Sequence, residues 1–575
     1  MTNIHGEKCE EPSVRDIAAE VFKIQKRIFR LSQEGQYEKV HNLQRRLVNS
    51  RSAKFLAVQK AAHDSRGAHT PGIDGARSLT PNQRRLLSRD LHLGQKSDPV
   101  RRVNIPKPGG LETRPLGIPT IRDRAHQNLI ALALEPEWEA RFSPGQFGFR
   151  KGRCCHDALI NIRMNIQRTP KWVLDADIEK FFDRVSHEAL IRKLRTYPAM
   201  EDAIRRILNA GVLEGGVFTT PESGTPQGGP LSPLLANIAL SGLEEAIASA
   251  FHSGRTIAGV KVGKVPRMIS YADDFVVLHE SRDVIDACRD FIDEWLHPLG
   301  LNLSPHKTQI AHTATPPASG IKPGFDFLGC HIRQFPVGRH QAKPFFKGYF
   351  TWIGPSMESI KRIYAKCADI IDSHRPQKRR NAQYEHQRAK GKASGEEILI
   401  YRLNPVIRGW SQYHRPHNAK EAFGRLDHQL WLKLFRHLIK THPAMSRKGI
   451  VATFFDGGNP WIFKVRGAEK RKATELLKAA SIPIMRHFPV QSDRSFYDGD
   501  WSYWGKRMGR YPSIPRAFGT CLKRQTGRCS CCNSPITRDH KVTLVRDVDP
   551  EGSRRWRLVH FECVDPTRDA RVLLQ

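Results

Sequence analysis

Asp273 and Asp274 stand side by side after Tyr271 and Ala272, with an apolar run on each side. Met268-Ile269-Ser270 precedes the tetrad and Phe275-Val276-Val277-Leu278 follows it. Two short apolar runs around a tight polar break predict strand, turn, strand, with both carboxylates at the tip of a β-hairpin. Adjacent carboxylates repel, so the pair needs an offset. Divalent cations supply one, because hard ions prefer carboxylate oxygen and a metal pair can clamp a phosphoryl transfer. Taken alone the pair is a solvated Asp-Asp turn; the rest of the chain decides.

The 575 residues allow about three or four domains with sizeable cores. Lys and Arg number 93 against 58 Asp and Glu, a formal charge of +35. Such an excess points to a polyanionic partner, since each neutralised phosphate releases counterions. No apolar stretch reaches the ~20 residues that span a bilayer, so no membrane partner is expected. Met1 to Pro12 is polar and acidic, without the apolar centre of a signal peptide. Eleven cysteines make no disulfide framework in a chain this long, and a reduced, cytoplasmic protein is expected. Nucleic acid is the expected partner.

Residues 14–66 carry apolar side chains at helical spacing (Ile17, Val21, Ile24, Ile28, Leu31, then Leu43, Leu47, Phe55, Leu56, Val58). Thr70-Pro71-Gly72-Ile73-Asp74-Gly75 ends that pattern with turn chemistry. From 100 to 335, short apolar runs alternate with helical stretches, which predicts a mixed α and β region. From 355 the pattern is helical again, interrupted by Arg375 to Gly395, a basic, polar segment read as a disordered or RNA-tracking loop. A Gly/Pro-rich, aromatic stretch fills 445–515, and a cysteine cluster lies beyond it.

A second acidic site lies in Leu174-Asp175-Ala176-Asp177-Ile178-Glu179-Lys180-Phe181-Phe182-Asp183, after the strand-like Trp172-Val173-Leu174. An acid at one strand end and an acid pair on a neighbouring hairpin can surround two metal ions, as in-line nucleotidyl transfer requires. Strand alternation puts Asp175 and Asp177 on one face, so spacing does not choose between them.

Asp177 followed by Phe182, together with Tyr271 to Asp274, resembles motifs A and C of reverse transcriptases. Gly224-Thr225-Pro226-Gln227-Gly228-Gly229-Pro230-Leu231-Ser232-Pro233 resembles their motif B, in a form typical of group II intron proteins. The resemblance implies Asp177 and Asp273 as principal Mg2+ ligands and Asp274 as the third carboxylate. Of two ions, one would activate the primer hydroxyl and the other neutralise the triphosphate and leaving group. It also implies that Lys107 and Arg114, in a fingers-like motif, hold the incoming triphosphate, arginine as a fork and lysine as a point charge. Phe182 matches the steric gate that favours dNTPs, and Gln227 and Gly228 would line template, primer and nucleotide. Lys307, by itself a surface charge, matches a lysine near the pyrophosphate.

The flanks narrow the choice. The basic helical start ending in Thr70 to Gly75 resembles the extension of group II intron proteins. Phe325-Asp326-Phe327-Leu328-Gly329 resembles the end of their palm, and Leu403-Asn404-Pro405-Val406-Ile407-Arg408-Gly409-Trp410-Ser411-Gln412-Tyr413 their maturase thumb, domain X. The chain is thus identified as a member of the group II intron-encoded reverse transcriptases and maturases. The resemblance implies a multidomain α+β fold. A basic helical extension (1–80) would precede right-hand fingers and palm with an antiparallel sheet and helices (81–345). An α-helical thumb (346–445), a small DNA-binding region D (446–518) and a degenerate HNH-like zinc module (519–575) would follow.

The implied function is binding of group II intron RNA to assist splicing, then copying of that RNA into DNA at a target site. Its partners would be intron RNA, target DNA, an RNA template with DNA primer, and dNTPs, in a cytoplasmic ribonucleoprotein. Two other readings are a host-adopted enzyme of repair or defence and a splicing chaperone without required polymerisation. The intact acidic triad argues against the chaperone as the sole role.

Two C-terminal features complete the reading. Arg494, Phe496, Tyr497, Trp501, Tyr503, Trp504, Lys506, Arg507 and Arg510 interleave rings with cations, which suits either base stacking or a small core. Cys529, Cys532, His560 and Cys563 supply two Cys/His pairs at zinc-ligand spacing, a closed structural Zn2+ site with Cys531 as the spare thiol. Family HNH modules nick DNA, and Asp539 and His540 would serve as acid and base. The chain departs from that pattern. Arg554-Arg555-Trp556 stands where an Asn is expected, and Val564 where a metal-binding His is expected. An impaired endonuclease is the expectation.

Overall fold

The computed structural model describes residues 14–65, 67–106, 113–214, 217–219, 223–224, 228–318, 322–337, 348–374, 395–456, 459–465, 473–491, 494–510, 514–536, 542–548 and 554–564. Lys107, Gln227, Asp539, His540 and nearly all of the basic 375–395 segment lie outside them.

Alternation along two adjacent strands sets the centre of the fold. Strands Trp172–Asp177 and Asp274–His279 lie antiparallel in the middle of a four-stranded sheet, with Gln309–His312 and Arg267–Tyr271 at its edges. Successive side chains leave a strand on opposite faces. Leu174, Ala176, Phe275 and Val277 therefore enter one core, and Val173, Val276 and Leu278 enter another. Both faces are covered. This accounts for the unbroken apolar run after Asp274, which a half-solvated strand would not carry.

The first core is closed by helices. Val14–Gln33, Tyr37–Asn49 and Arg51–Gln59 bury Val21, Ile28, Val40, Leu43, Leu47 and Ala57 against Ile121–Glu139. That helix is buried on most of its circumference, so its polar groups need partners. Gln44 donates to Glu137 at 2.7 Å, and Arg150 makes a buried two-point pair with Glu139 at 2.9 and 2.8 Å.

A second sheet joins the hairpin Val100–Pro106/Thr113–Ile118 to Val212–Glu214 and Val217–Thr219, with one parallel pairing between Val100–Pro106 and Val212–Glu214. A third, antiparallel sheet (Phe325–Phe327, Cys330–Pro336, Tyr349–Pro355) leads into a helical body. There Met357–Ser373, Gly395–His414 and Lys420–Thr441 pack around Leu403, Ile407, Phe423, Leu430 and Leu434. No described helix is long and apolar enough to cross a membrane.

Residues 446–518 are shared among three cores. Ile450, Phe454 and Phe463 join the helical body, Val490, Trp501 and Trp504 pack beneath the central sheet, and Met508 joins a C-terminal cluster. Of the two readings left open for the 494–510 rings, burial selects the core. Tyr497, Trp501 and Trp504 are buried, and Phe22 of the first helix packs on Tyr497 and Trp501 at centroid distances of 6.1 and 5.2 Å. The C-terminal cluster unites helix Arg516–Arg524 with the hairpin Val542–Val548/Arg554–His560.

Candidate active site

The expected hairpin is present. Tyr271 and Asp274 face each other as its last pair, which leaves Ala272 and Asp273 as a two-residue turn. Ala272 has φ +61, the positive value such tight hairpin turns require at their first central position. The turn is braced from behind. Phe147 N–H donates to Ser270 O and Ser270 N–H to Gly145 O, both at 2.9 Å. A Cβ on Gly148 would stand 2.1 Å from Ala272 N, so only glycine permits this approach.

Register resolves what spacing left open. Asp177 is the direct cross-strand partner of Asp274, so Asp177, Asp273 and Asp274 gather at one end of the central sheet. Asp175 lies two residue pairs inside, opposite Val276, and takes a hydrogen bond from Gln309 at 3.1 Å. Lys307 Nζ contacts Asp177 Oδ2 at 2.5 Å. That pairing holds the lysine charge firmly and raises its pKa, mainly through the hydrogen bond.

The carboxylates crowd one another. Desolvation by burial, then repulsion from Asp273, Asp177 and Asp175, pushes Asp274 up to about 7. Asp273 is raised chiefly by desolvation, with Arg114 and Lys307 acting against the rise. Asp175 rises to about 6, again mainly by desolvation. One lysine does not neutralise this group. Its surplus negative charge on hard oxygen atoms fits divalent cations.

Around this cluster stand other expected residues. Arg114 is exposed on strand Thr113–Ile118. Phe182, half-buried, sits in the short helix Phe181–Arg184 directly after the Asp177 strand, edge-on to Phe181 at 5.4 Å. Gly228 adopts φ +119, and a Cβ there would meet Gly117 O at 2.7 Å. The glycine-rich loop thus runs against the strand that carries Arg114. Upstream in the same loop, Gly224 N–H donates to Val185 O at 2.9 Å.

These features agree with three family models. Residues 105–332 match the reverse transcriptase (RNA-dependent DNA polymerase) model, 13–91 the N-terminal domain of reverse transcriptase, and 378–455 the group II intron maturase-specific domain. Protein YkfC of Escherichia coli strain K12 is 31% identical over 304 residues, 46% of this chain and 76% of that protein. The chain belongs to the group II intron-encoded reverse transcriptases. The group II intron-encoded protein LtrA of Lactococcus lactis subsp. cremoris is 29% identical over 504 residues, 76% of this chain and 81% of LtrA. A putative COX1/OXI3 intron 1 protein of Saccharomyces cerevisiae is 30% identical over 325 residues, 48% of this chain and 37% of that protein. The enzyme is an RNA-directed DNA polymerase with a maturase domain, and its family uses divalent metal and binds intron RNA.

In this reverse transcriptase a second donor group lies at the C-terminal hairpin. One ligand atom from each of Cys529, Cys532, His560 and Cys563 lies within 4.8 Å of the others. Burial opposes ionisation of Cys529. Hydrogen bonds from His560 and from the backbone of Cys532, His560 and Cys531 outweigh it and bring that thiol down to about 5. His560 Nε2 meets Pro535 O at 3.2 Å, the outer contact that orients a ligating imidazole. Three thiols and one imidazole fit zinc chemically.

One polar centre had no local signal in the sequence. Asp157, at the start of helix Cys155–Ile166, accepts two hydrogen bonds from Arg507 Nη2, at 2.6 and 2.8 Å. It also accepts from His487 Nε2 and Val490 N–H, each at 2.9 Å. Desolvation opposes the charge, but His487 and Arg507 hold the carboxyl well below the usual range. Partners some 350 residues away leave no periodicity or motif to read.

Proposed function

We propose that Asp177, Asp273 and Asp274 hold the two Mg2+ ions of nucleotidyl transfer, at the base of a right-hand polymerase cleft. The carrying observation is the register that sets Asp177 opposite Asp274 beside the Asp273 turn. Bound there, the ions would supply Lewis acidity to the attacking hydroxyl and to the departing pyrophosphate. The chain's own residues do the rest. Arg114, with Lys107, meets the triphosphate from the fingers-like hairpin. Lys307 keeps a proton and a positive charge beside Asp177. Phe182 presents a ring to the sugar, and Gly228 lets the backbone approach the nascent pair.

The helical body 346–445 is assigned as the thumb, 1–80 as the RNA-binding extension and 446–518 as the DNA-binding region. The enzyme binds its intron RNA, assists splicing and copies it at a DNA target. Primer extension on RNA with Mg2+ is expected to vanish in Asp273→Ala, while RNA binding and splicing assistance persist. Equal loss of both would refute this assignment.

Residues 519–575 are assigned as a zinc-folded module of HNH type with impaired nuclease chemistry. The support is the gathered donor set beside the departures at Arg554-Arg555-Trp556 and Val564. Without one side of a magnesium site the departing oxygen loses stabilisation. A plasmid-nicking assay tests it; efficient second-strand cleavage, abolished by His540→Ala, would reverse the assignment.

A further inference from the structure

Phe149 has a left-handed backbone, φ +57, and a ring that is 52% exposed. A bulky side chain is strained in that conformation, which glycine or asparagine adopts readily. Burial therefore does not account for the ring, and the backbone disfavours it. The conformation is nonetheless firmly set from both sides. Gly148 O accepts from the buried Asn237 Nδ2 at 2.8 Å. Arg150, also buried, forks onto Glu139 and donates to Ser143 O and Gln146 O at 2.8 and 2.7 Å. Lys151 follows, with Glu135 and the Tyr497 hydroxyl each at 2.9 Å. Backbone strain that its surroundings over-determine is a mark of functional sites.

The place of Phe149 in the sheet indicates which function. Gln146 bridges Ser270 in parallel, so residues 145–148 lie along the outer edge of strand Arg267–Tyr271 and run toward the catalytic turn. Gly148 sits against Ala272 of that turn, and Phe149 comes next. Lys307 is at the same end of the sheet but at its opposite edge, just before strand Gln309–His312. The strand ends that carry Asp177, Asp273 and Asp274 lie between the two.

In-line transfer sets the attacking hydroxyl and the departing pyrophosphate on opposite sides of the reacting phosphorus. With Lys307 on the pyrophosphate side, the Phe149 edge is the side of the primer. At the end of a growing duplex, the terminal base is covered by its neighbour and by the incoming nucleotide. The sugar is the apolar surface left for a side chain. We propose that Phe149 packs on the deoxyribose of the primer's terminal nucleotide and holds its 3′-hydroxyl at the carboxylates.

The inference rests on the reading of Asp177, Asp273 and Asp274 as the metal site, and adds the residue that seats the primer. The test uses the full chain, an RNA template annealed to a DNA primer, and Mg2+. Phe149→Asn removes the ring with a residue that tolerates left-handed backbone, so it is expected to melt at or above the wild-type temperature. Its KM for primer–template is expected to rise about tenfold, the effect of losing roughly half the burial of a Phe ring. The KM for dNTP at saturating primer–template stays within about twofold of wild type. Phe149→Tyr, which keeps the ring, restores the primer–template KM. A photoreactive benzophenone side chain at position 149 is expected to crosslink to the last nucleotides of the primer.

An unchanged primer–template KM in Phe149→Asn would overturn the proposal, as would crosslinks confined to the template strand. A lower melting temperature with both KM values raised would also overturn it, since that is the signature of a structural role. Full extension activity in Asp273→Ala would instead refute the placement of the metal site on which the proposal rests.

Discussion

At the scale of single residues, the crowded carboxylates tie stability to pH. Asp175 and Asp274 are raised to about 6 and about 7, whereas an unfolded chain titrates its carboxylates near ~4. Between those values the folded state is the stronger proton binder, so its stability falls as pH rises. In chelator, the melting temperature of wild type is expected to drop relative to Asp274→Asn between about pH 4 and 7. Mg2+ at pH 7.5 should recover the difference, because it binds the deprotonated cluster. A wild-type curve parallel to that of the variant would show that Asp274 carries no such strain. The two adjacent acids were legible in the sequence because a hairpin tip is a local pattern. Spacing alone could not prefer Asp177 to Asp175, since both share a strand face; the resemblance named Asp177, and pairing with Asp274 is what separates the two in space.

Between elements, the decisive contact joins helix Cys155–Ile166 to helix Trp501–Met508 through Asp157 and Arg507. Both side chains are buried, so deleting the guanidinium strands a charge. Arg507→Ala is expected to cost about 3–5 kcal/mol in urea denaturation followed by tryptophan fluorescence. A cost below about 1 kcal/mol would place the pair in water rather than in a core. The C-terminal hairpin has a different dependence. Its small cluster includes Met508 of helix Trp501–Met508, with Cys154 packed against it, and its four donors converge. One equivalent of zinc is expected by elemental analysis, lost in Cys532→Ser, with the 519–575 segment becoming protease-sensitive while primer extension continues. The donor spacing was readable because zinc sites recur at fixed intervals. The ring-rich 494–510 stretch was not, because alternating rings and cations look alike in a core and on a stacking surface. Its covering residue, Phe22, lies near the opposite end of the chain.

For the whole molecule, that distance makes the boundaries of the sequence poor guides to where it can be cut. A chain ending at 491 would expose Phe22 and the face beneath the central sheet, and is expected to aggregate or unfold at lower denaturant than wild type. A chain ending at 510 keeps Tyr497, Trp501, Trp504 and Arg507, and is expected to retain primer extension; equal behaviour of the two truncations would dismiss this difference. The Phe22–Trp501 contact also sets a clock on biosynthesis. Chains are made at about 5–20 residues per second, and domains near the N-terminus ordinarily fold as they emerge. Here the partner of Phe22 arrives about 480 residues later, on the order of half a minute to a minute and a half. Throughout that interval the nascent enzyme displays an apolar face beside a growing excess of positive charge. Whatever polyanion or chaperone occupies it first helps decide whether the polymerase closes on itself or is caught half-made.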